Sequence, residues 1–287
     1  MFNLLISATQ LQDRLTRPGC LVFDVRHSLA DHGAGRVAYE RGHIPGALYL
    51  DHERQLAAPR TGHNGRHPLP ALRDFAALMA SQGLAPDTQV VVYDDSGSLF
   101  AAHLWWMLRW LGHRGAAILD GGWAAWQAAG GVVETGSNDP APGARAAGSD
   151  DQAVEPMMPT VDAQAVRKNL NTQAFTLVDA RAGARFRGES EPMDPVAGHI
   201  PGALNRPCQE NLAADGHFKR PDALRAEFTA VIHKRPATEI VHQCGSGITA
   251  CHNLFAMELA GLNGSALYPG SWSEWCSDPS RPVATGA

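Results

Sequence analysis

Short apolar runs alternate with segments of helical length along most of this chain. The apolar runs lie at residues 90–93, 116–119 and 240–242, and the helix-length segments at 99–111 and 248–259. A run with no polar face is typical of a strand that is buried on both sides, as strands of parallel sheets are. The alternation therefore predicts α/β units, each a parallel sheet with helices on both faces.

The pattern occurs twice. GHIPGAL stands at residues 42–48 and again at 198–204. Before each copy an apolar run ends in an acidic and a basic residue, and after each copy VVVYDDSGSLFAA matches EIVHQCGSGITAC and DGGWAAW matches PGSWSEW. An ungapped pairing sets Asp95 opposite Cys244 and Trp123 opposite Trp272. Self-similarity of this extent predicts two copies of one structural unit.

The segment between the copies has the composition of a linker. Residues 136–159 are rich in Pro, Gly, Ser and Asp and show neither the helical nor the strand period. We therefore assign residues 1–135 to a first domain, 136–159 to the linker and 160–287 to a second domain. Domains of this length are large enough to bury their own cores.

Composition and charge exclude several classes of protein. With 44% hydrophobic and 18% charged residues and a net charge of −5, the chain is typical of a globular protein and has no basic surface for nucleic acid or an anionic membrane. No apolar run approaches the roughly 18 residues that span a bilayer, and the first residues lack a signal-peptide pattern. The five scattered cysteines favour a reducing compartment, so we expect a cytoplasmic protein with no metal and no cofactor.

The loop CGSGIT, residues 244–249, has the features of a reactive site. It follows a predicted strand and precedes a predicted helix, at the sheet edge where α/β proteins bind ligands. Gly245 and Gly247 let successive N–H groups converge on one point, and the helix dipole adds partial positive charge. Both effects favour the thiolate of Cys244. We therefore predict a nucleophile, against the alternatives of a buried structural cysteine or a zinc site with Cys251 and His252, whose spacing does not fit zinc.

The tandem repeat, the paired GHIPGA sequences and the CGSGIT loop together resemble the two-domain rhodanese superfamily, and within it the 3-mercaptopyruvate sulfurtransferase branch, whose loop is CGSGVT or CGTGVT. The resemblance covers nearly the whole chain. It implies two rhodanese-like domains, of which the first is silent because Asp95 cannot form a persulfide. It further implies that Cys244 takes the outer sulfur of a small-molecule donor and passes it to a thiol or cyanide acceptor, with a thioredoxin-like reductant as one candidate.

The same resemblance assigns residues that bind the donor. Arg185, in DARAGARFRG, stands at the position of the family's substrate-binding arginine, and its planar fork suits a carboxylate. Arg187 is a second candidate anion contact, with a solvated surface arginine as the alternative interpretation. The loop itself is expected to surround the donor through Gly245, Gly247, Ile248 and Thr249.

A serine–histidine–acid relay is also implied. Ser246, His67 of HPLP and Glu53 of LDHE stand at the three positions, with Glu in place of the usual Asp. Packing is the alternative role for His67, since the chain has 13 histidines. We assign His242, which lies on the strand before the loop, to packing, and the tryptophans of segment 99–111 to the core and a domain interface.

Two departures from the family pattern leave the donor open. Where the branch usually has a second arginine, this chain has Asp194. Thiosulfate enzymes of the family have the loop CRKGVT, with cations where this chain has Gly245 and Ser246. The neutral loop favours 3-mercaptopyruvate, and thiosulfate is the alternative. A cysteine phosphatase would need an arginine at the end of its loop, where this chain continues with Ala250, and a non-catalytic rhodanese-like module is typical of chains that have lost the cysteine.

Overall fold

The computed structural model describes residues 1–138 and 155–287, and the chain forms two compact units. The first comprises Met1–Ala58 and Pro70–Met157, and the second comprises Pro59–Leu69 and Met158–Ala287. The repeat does not predict that residues 59–69 pack with the second unit. Of the predicted linker 136–159, residues 139–154 lie outside the described residues. Within the described ranges, no helix is both long and apolar enough to cross a membrane.

The first unit is built on a five-stranded parallel sheet with strand order β1-β5-β4-β2-β3. Its elements, in chain order, are β1 Leu5–Ile6, α1 Ala8–Leu15, β2 Cys20–Asp24, α2 Ala34–Arg41, β3 Leu48–Tyr49, α3 Leu72–Ser81, β4 Gln89–Tyr93, α4 Leu99–Trp110, β5 Ala116–Leu119 and α5 Gly122–Ala128. The strands predicted at 90–93 and 116–119 and the helix predicted at 99–111 are confirmed.

Both faces of this sheet are buried. Val91 and Tyr93 of β4 pack with residues of α1, α2 and α5. Successive strand residues point to opposite faces, so Val90 and Val92, which are also fully buried, point to the other side. There α4 lies against β4 and β5. The tryptophans of α4 are buried, as predicted for core residues.

The second unit has a four-stranded parallel sheet with strand order β7-β6-β8-β9. Its elements are α6 Ala163–Thr172, β6 Thr176–Asp179, α7 Gly183–Phe186, β7 Leu204–Asn205, a 3₁₀ turn Cys208–Asn211, α8 Pro221–Val231, a second 3₁₀ turn Ala237–Glu239, β8 Ile240–Gln243, α9 Ile248–Leu259, β9 Ala266–Leu267 and α10 Ser271–Trp275. Val241 of β8 packs with residues of α6 and α10. His242 points the opposite way, toward Phe228 of α8 and Met257 of α9.

The repeated sequence motifs form a buried cluster in the first unit. Arg26 makes a forked ion pair with Asp24, and its Nη2 donates to the Gly42 carbonyl at 2.6 Å. The guanidinium carbon lies 4.8 Å from the centroid of the Trp123 ring. Asp24 is fully buried, so the charge of Arg26 has a partner inside the protein.

The second unit repeats this cluster. Arg181 pairs with Asp179, donates to the Gly198 carbonyl at 2.8 Å and lies 4.8 Å from the Trp272 ring centroid. Burial acts against the charged form, but Asp179 and Glu191 raise the pKa of Arg181. The glycine that opens GHIPGAL, the acid–base pair and the tryptophan therefore recur because they support the fold.

The strand-to-helix loop of the first unit is one residue longer than that of the second. In the first unit β4 ends at Tyr93 and α4 begins at Leu99, whereas in the second β8 ends at Gln243 and α9 begins at Ile248. The loops are thus residues 94–98 and 244–247. An ungapped sequence pairing cannot show this insertion.

The structure corrects the residue that corresponds to Cys244. In the first unit the Trp123 N–H donates to the Asp94 carbonyl at 2.8 Å, and in the second the Trp272 N–H donates to the Cys244 carbonyl at 2.9 Å. Asp94, and not Asp95, is therefore the structural counterpart of Cys244. The ungapped pairing was wrong here because the extra residue lies inside the loop.

The Asp94 carboxylate fills the loop of the first unit. Its Oδ1 accepts from the N–H groups of Ser96 and Ser98, and its Oδ2 from those of Phe100 and Ala101, at 2.8–2.9 Å. Burial raises the pKa of Asp94, and the four N–H donors act in the opposite direction. The anion-binding cradle of this unit already contains an anion.

Candidate active site

In the second unit the Cys244 loop joins a buried strand to a helix. The Gly247 N–H donates to Cys244 Sγ at 3.2 Å, directly before α9 begins. Gly247 has φ of +90°, and a Cβ there would lie 2.5 Å from the Pro269 carbonyl oxygen. Only glycine fits this position without displacing backbone. The loop therefore keeps a backbone N–H aimed at the sulfur.

Backbone contacts fix the rest of the loop against residues 271–273. The Cys244 N–H donates to Ser271 Oγ at 3.1 Å, and the Ser273 N–H donates to the Gly245 carbonyl at 2.9 Å. Cys244 is only 1% exposed. These hydrogen bonds and the burial of Cys244 together position the thiol.

Ser246 and His67 form a direct pair next to the thiol-bearing residue. Ser246 Oγ lies 2.7 Å from His67 Nδ1, and both residues are buried. His67 reaches Ser246 because segment 59–69 packs in the second unit. Gly65 assists this packing, since with φ of +84° it lies so close to Gly270 that a Cβ would be 2.9 Å from the carbonyl oxygen of that residue.

Two guanidinium groups lie over the loop at Gly245. A Cβ on Gly245 would be 2.8 Å from Arg66 Nη2 and 3.6 Å from both Nη atoms of Arg185. Sequence reasoning found Arg185 and missed Arg66. The only signal for Arg66 was its position beside His67. The cations that the neutral loop sequence lacks are therefore supplied by other segments of the same unit.

Carboxylates hold both guanidinium groups. Arg185 forms a two-pronged ion pair with Glu191, with distances of 2.6 and 3.2 Å, and its Nη2 lies 3.3 Å from Asp194 Oδ2. Arg66 pairs with the other oxygen of Asp194. Burial acts to raise the pKa of Glu191, but hydrogen bonds from Arg185 and two backbone N–H groups lower it overall. Glu191 is therefore a stable anionic partner at neutral pH.

Other buried titratable groups near the loop are held neutral. Burial, with a smaller contribution from charge on Cys244, raises the pKa of Cys208 to about 12 and that of Cys251 well above its ordinary value. Burial lowers the pKa of His242 to about 3. These three side chains remain uncharged at neutral pH. All five cysteines of the chain are free thiols.

The remaining predicted residues lie in varied surroundings. Ile248 is buried and Thr249 is partly exposed at the start of α9. Arg187 is exposed and makes a forked pair with Glu189 at 2.7 and 2.9 Å, an arrangement typical of a surface arginine. Glu53 belongs to the first unit, where its Oε1 lies 3.6 Å from His32 Nδ1.

Glu53 also belongs to the one group of described side chains that could hold a metal ion. The ligand atoms of His27, His32 and Glu53 lie within 4.8 Å of one another. A set of two histidines and a carboxylate is suited to zinc. The group lies in the first unit.

Comparison with known proteins shows the family. Residues 7–129 and 162–278 match the model of the rhodanese-like domain. A protein of Pseudomonas aeruginosa named "Probable 3-mercaptopyruvate sulfurtransferase" is 49% identical over 284 residues, 98% of each chain. The thiosulfate sulfurtransferase of Bos taurus is 36% identical over 90% of this chain and 85% of its own.

A solved structure supports the same relationship. This crystal structure is of an Escherichia coli protein and is described under the rhodanese fold and catalytic mechanism of 3-mercaptopyruvate sulfotransferases. It superposes with a TM-score of 0.75 at 32% identity, over 93% of this chain and 98% of its own. The chain therefore belongs to the rhodanese-like family, and within it to the two-domain sulfurtransferases.

Proposed function

We propose that this chain moves one sulfur atom from 3-mercaptopyruvate, through a persulfide on Cys244, to a thiol or cyanide acceptor. The observation that carries the proposal is the Gly247 N–H aimed at Cys244 Sγ, at 3.2 Å, ahead of α9. A backbone donor at a helix N-terminus stabilises negative charge, first on the thiolate and then on the persulfide. The same contact therefore assists both states of the catalytic sulfur.

In the first half-reaction the Cys244 thiolate attacks the sulfur of the donor. A sulfur–sulfur bond forms, the carbon–sulfur bond of 3-mercaptopyruvate breaks, and its electron pair moves into the carbonyl group to give the enolate of pyruvate. A proton then converts the enolate to pyruvate. In the second half-reaction the acceptor attacks the outer sulfur, the sulfur–sulfur bond breaks, and the Cys244 thiolate is regenerated.

Ser246 and His67 are suited to stabilise the developing enolate. The Ser246 hydroxyl can donate to the oxygen that gains charge. His67 Nδ1, 2.7 Å from Ser246 Oγ, can accept a hydrogen bond from that hydroxyl or return a proton to it. We propose Glu53 as the acid that orients His67. Arg185 is proposed to hold the donor carboxylate, because its guanidinium lies close to Gly245 and its fork matches a planar anion.

The preferred donor distinguishes the two activities for which the Pseudomonas aeruginosa and Bos taurus relatives are named. A direct test compares kcat/KM for 3-mercaptopyruvate and for thiosulfate with one acceptor under identical conditions. We expect 3-mercaptopyruvate to be favoured by at least about tenfold, the effect of one charge-assisted contact. Mass spectrometry of the donor-treated enzyme should show a gain of one sulfur on Cys244. Preference for thiosulfate would contradict the donor assignment, and a persulfide-free Cys244 would indicate a non-catalytic module.

We further propose a physiological acceptor and a compartment. Attack of a thiolate removes the outer sulfur of a persulfide, so a thioredoxin-like reductant is a suitable physiological acceptor. Five free thiols are in keeping with a cytoplasmic protein. Faster turnover with thioredoxin than with an equal concentration of a simple thiol would support a protein acceptor.

A further inference from the structure

The Asp194 carboxylate lies between the two guanidinium groups that face the Cys244 loop. One of its oxygens pairs with Arg66, and the other lies 3.3 Å from Arg185 Nη2. The position of Asp194 in the chain is one where the family pattern favours a cation. This chain therefore has an anion where the family pattern has a cation, next to Arg185, which is proposed to hold the donor carboxylate.

Asp194 is fixed in this position. Its backbone N–H donates to Glu191 Oε1 at 3.1 Å, and its side chain is 4% exposed. The side chains of Arg66 and Arg185 are more accessible, at 18% and 19%. An incoming anion can thus reach both guanidinium groups, while the carboxylate between them stays shielded from water.

The charges of this cluster cancel. Arg66, Arg181 and Arg185 are the cations, and Asp179, Glu191 and Asp194 are the anions, each within ion-pair distance of at least one arginine. Two arginines over the loop would attract a dianion strongly if they stood alone. With Asp194 between them, the subsite has less positive charge than the two arginines alone would give it.

We infer that Asp194 is a specificity-determining residue, an internal counter-ion that shares Arg66 and Arg185 with the donor and disfavours dianionic donors relative to monoanionic ones. This inference rests on the proposed function. Coulomb interaction is proportional to the charge of the ligand, so the repulsion from Asp194 is twice as large for thiosulfate as for the single carboxylate of 3-mercaptopyruvate. Arg66 provides the second cation that the sequence lacks at position 194.

Asp194→Asn tests this directly, because it removes the charge and keeps the size and one acceptor oxygen. We expect the KM for 3-mercaptopyruvate to fall about threefold and that for thiosulfate about tenfold, since doubling the charge doubles the free-energy change. Higher salt should reduce both effects. The matched control is Asp222→Asn, the same chemical change at an exposed carboxylate of α8 that pairs with Arg220. It should leave the ratio of the two KM values unchanged.

Arg66→Gln provides the opposite test. It should raise the KM for both donors, and more for thiosulfate, so that the ratio moves in the opposite direction. A folded Asp194→Asn variant with the wild-type ratio would overturn the inference. If that variant does not fold, an unchanged ratio in Arg66→Gln would overturn it.

Mass spectrometry separates this inference from the function on which it rests. If wild-type Cys244 gains sulfur from a donor but the variants leave the ratio unchanged, only the role of Asp194 is wrong. If wild-type Cys244 gains sulfur from neither donor, the proposed function itself is wrong.

Discussion

The two strand-to-helix loops of this chain use the same backbone device for different ends. In residues 94–98 the converging N–H groups hold the Asp94 carboxylate, which accepts four hydrogen bonds. In residues 244–247 the loop is one residue shorter, and the Gly247 N–H faces the sulfur of Cys244. Backbone N–H groups stabilise negative charge in either loop, four of them at Asp94 and one at Cys244. Whether the loop serves structure or chemistry depends on whether that anion is an inert carboxylate or a nucleophilic sulfur.

The largest expected difference between the two loops appears when Cys244 is replaced in one and Asp94 in the other. Cys244→Ser should lower the rate of sulfur transfer by at least about 10⁴-fold, because a hydroxyl at this position is neither ionised nor polarisable enough to take up sulfur. Asp94→Asn should stay within about threefold of wild type per folded molecule. Initial rates and the mass of the donor-treated protein measure both. Persulfide formation on Cys244→Ser protein, or loss of transfer in folded Asp94→Asn, would mean that the wrong unit has been assigned as catalytic.

The second prediction concerns the serines of the two loops. Ser246→Ala and His67→Ala should each slow persulfide formation from 3-mercaptopyruvate by about 10²-fold in single-turnover experiments. Each substitution breaks the hydrogen-bonded pair that is proposed to donate a hydrogen bond to the developing enolate. The double variant should be little slower than either single one, since the two residues act as a unit.

Ser96→Ala is the matched control for this pair. Ser96 lies in the loop of the first unit and donates to Asp95 at 3.2 Å. Its removal should not change the rate. Effects of Ser246→Ala and His67→Ala that simply add would assign both residues to packing.

The smallest expected effect distinguishes the two carboxylates of the first loop. Asp94→Ala should lower the free energy of unfolding by about 2–4 kcal/mol, because buried N–H groups lose their acceptor. Asp95→Ala should change it by less than about 0.5 kcal/mol, because Asp95 is exposed. Urea denaturation followed by circular dichroism measures both. Equal effects of the two substitutions would contradict the assignment of Asp94 as the counterpart of Cys244.

Much of the fold could be predicted because its signals are local. The buried strands β4, β5 and β8 are short apolar runs, and α9 begins at the residue after the glycine-rich loop. The repeat of GHIPGAL, of the acid–base pair and of the tryptophan required no structure to detect. Only the structure shows why they recur, as ion pairs such as Asp24 with Arg26 buried under a tryptophan ring.

The sequence by itself determined that two related α/β units are present and that Cys244 is the candidate nucleophile. Strand, helix and loop propensities depend on neighbouring residues, so a linear pattern contains them. The tertiary structure decided which side chains surround that loop. Arg66 reaches it because segment 59–69 packs in the second unit, and Asp94 replaces Asp95 because backbone hydrogen bonds, and not letter identity, fix the register. Contacts between residues far apart in the chain depend on how the backbone closes on itself, which no local pattern records.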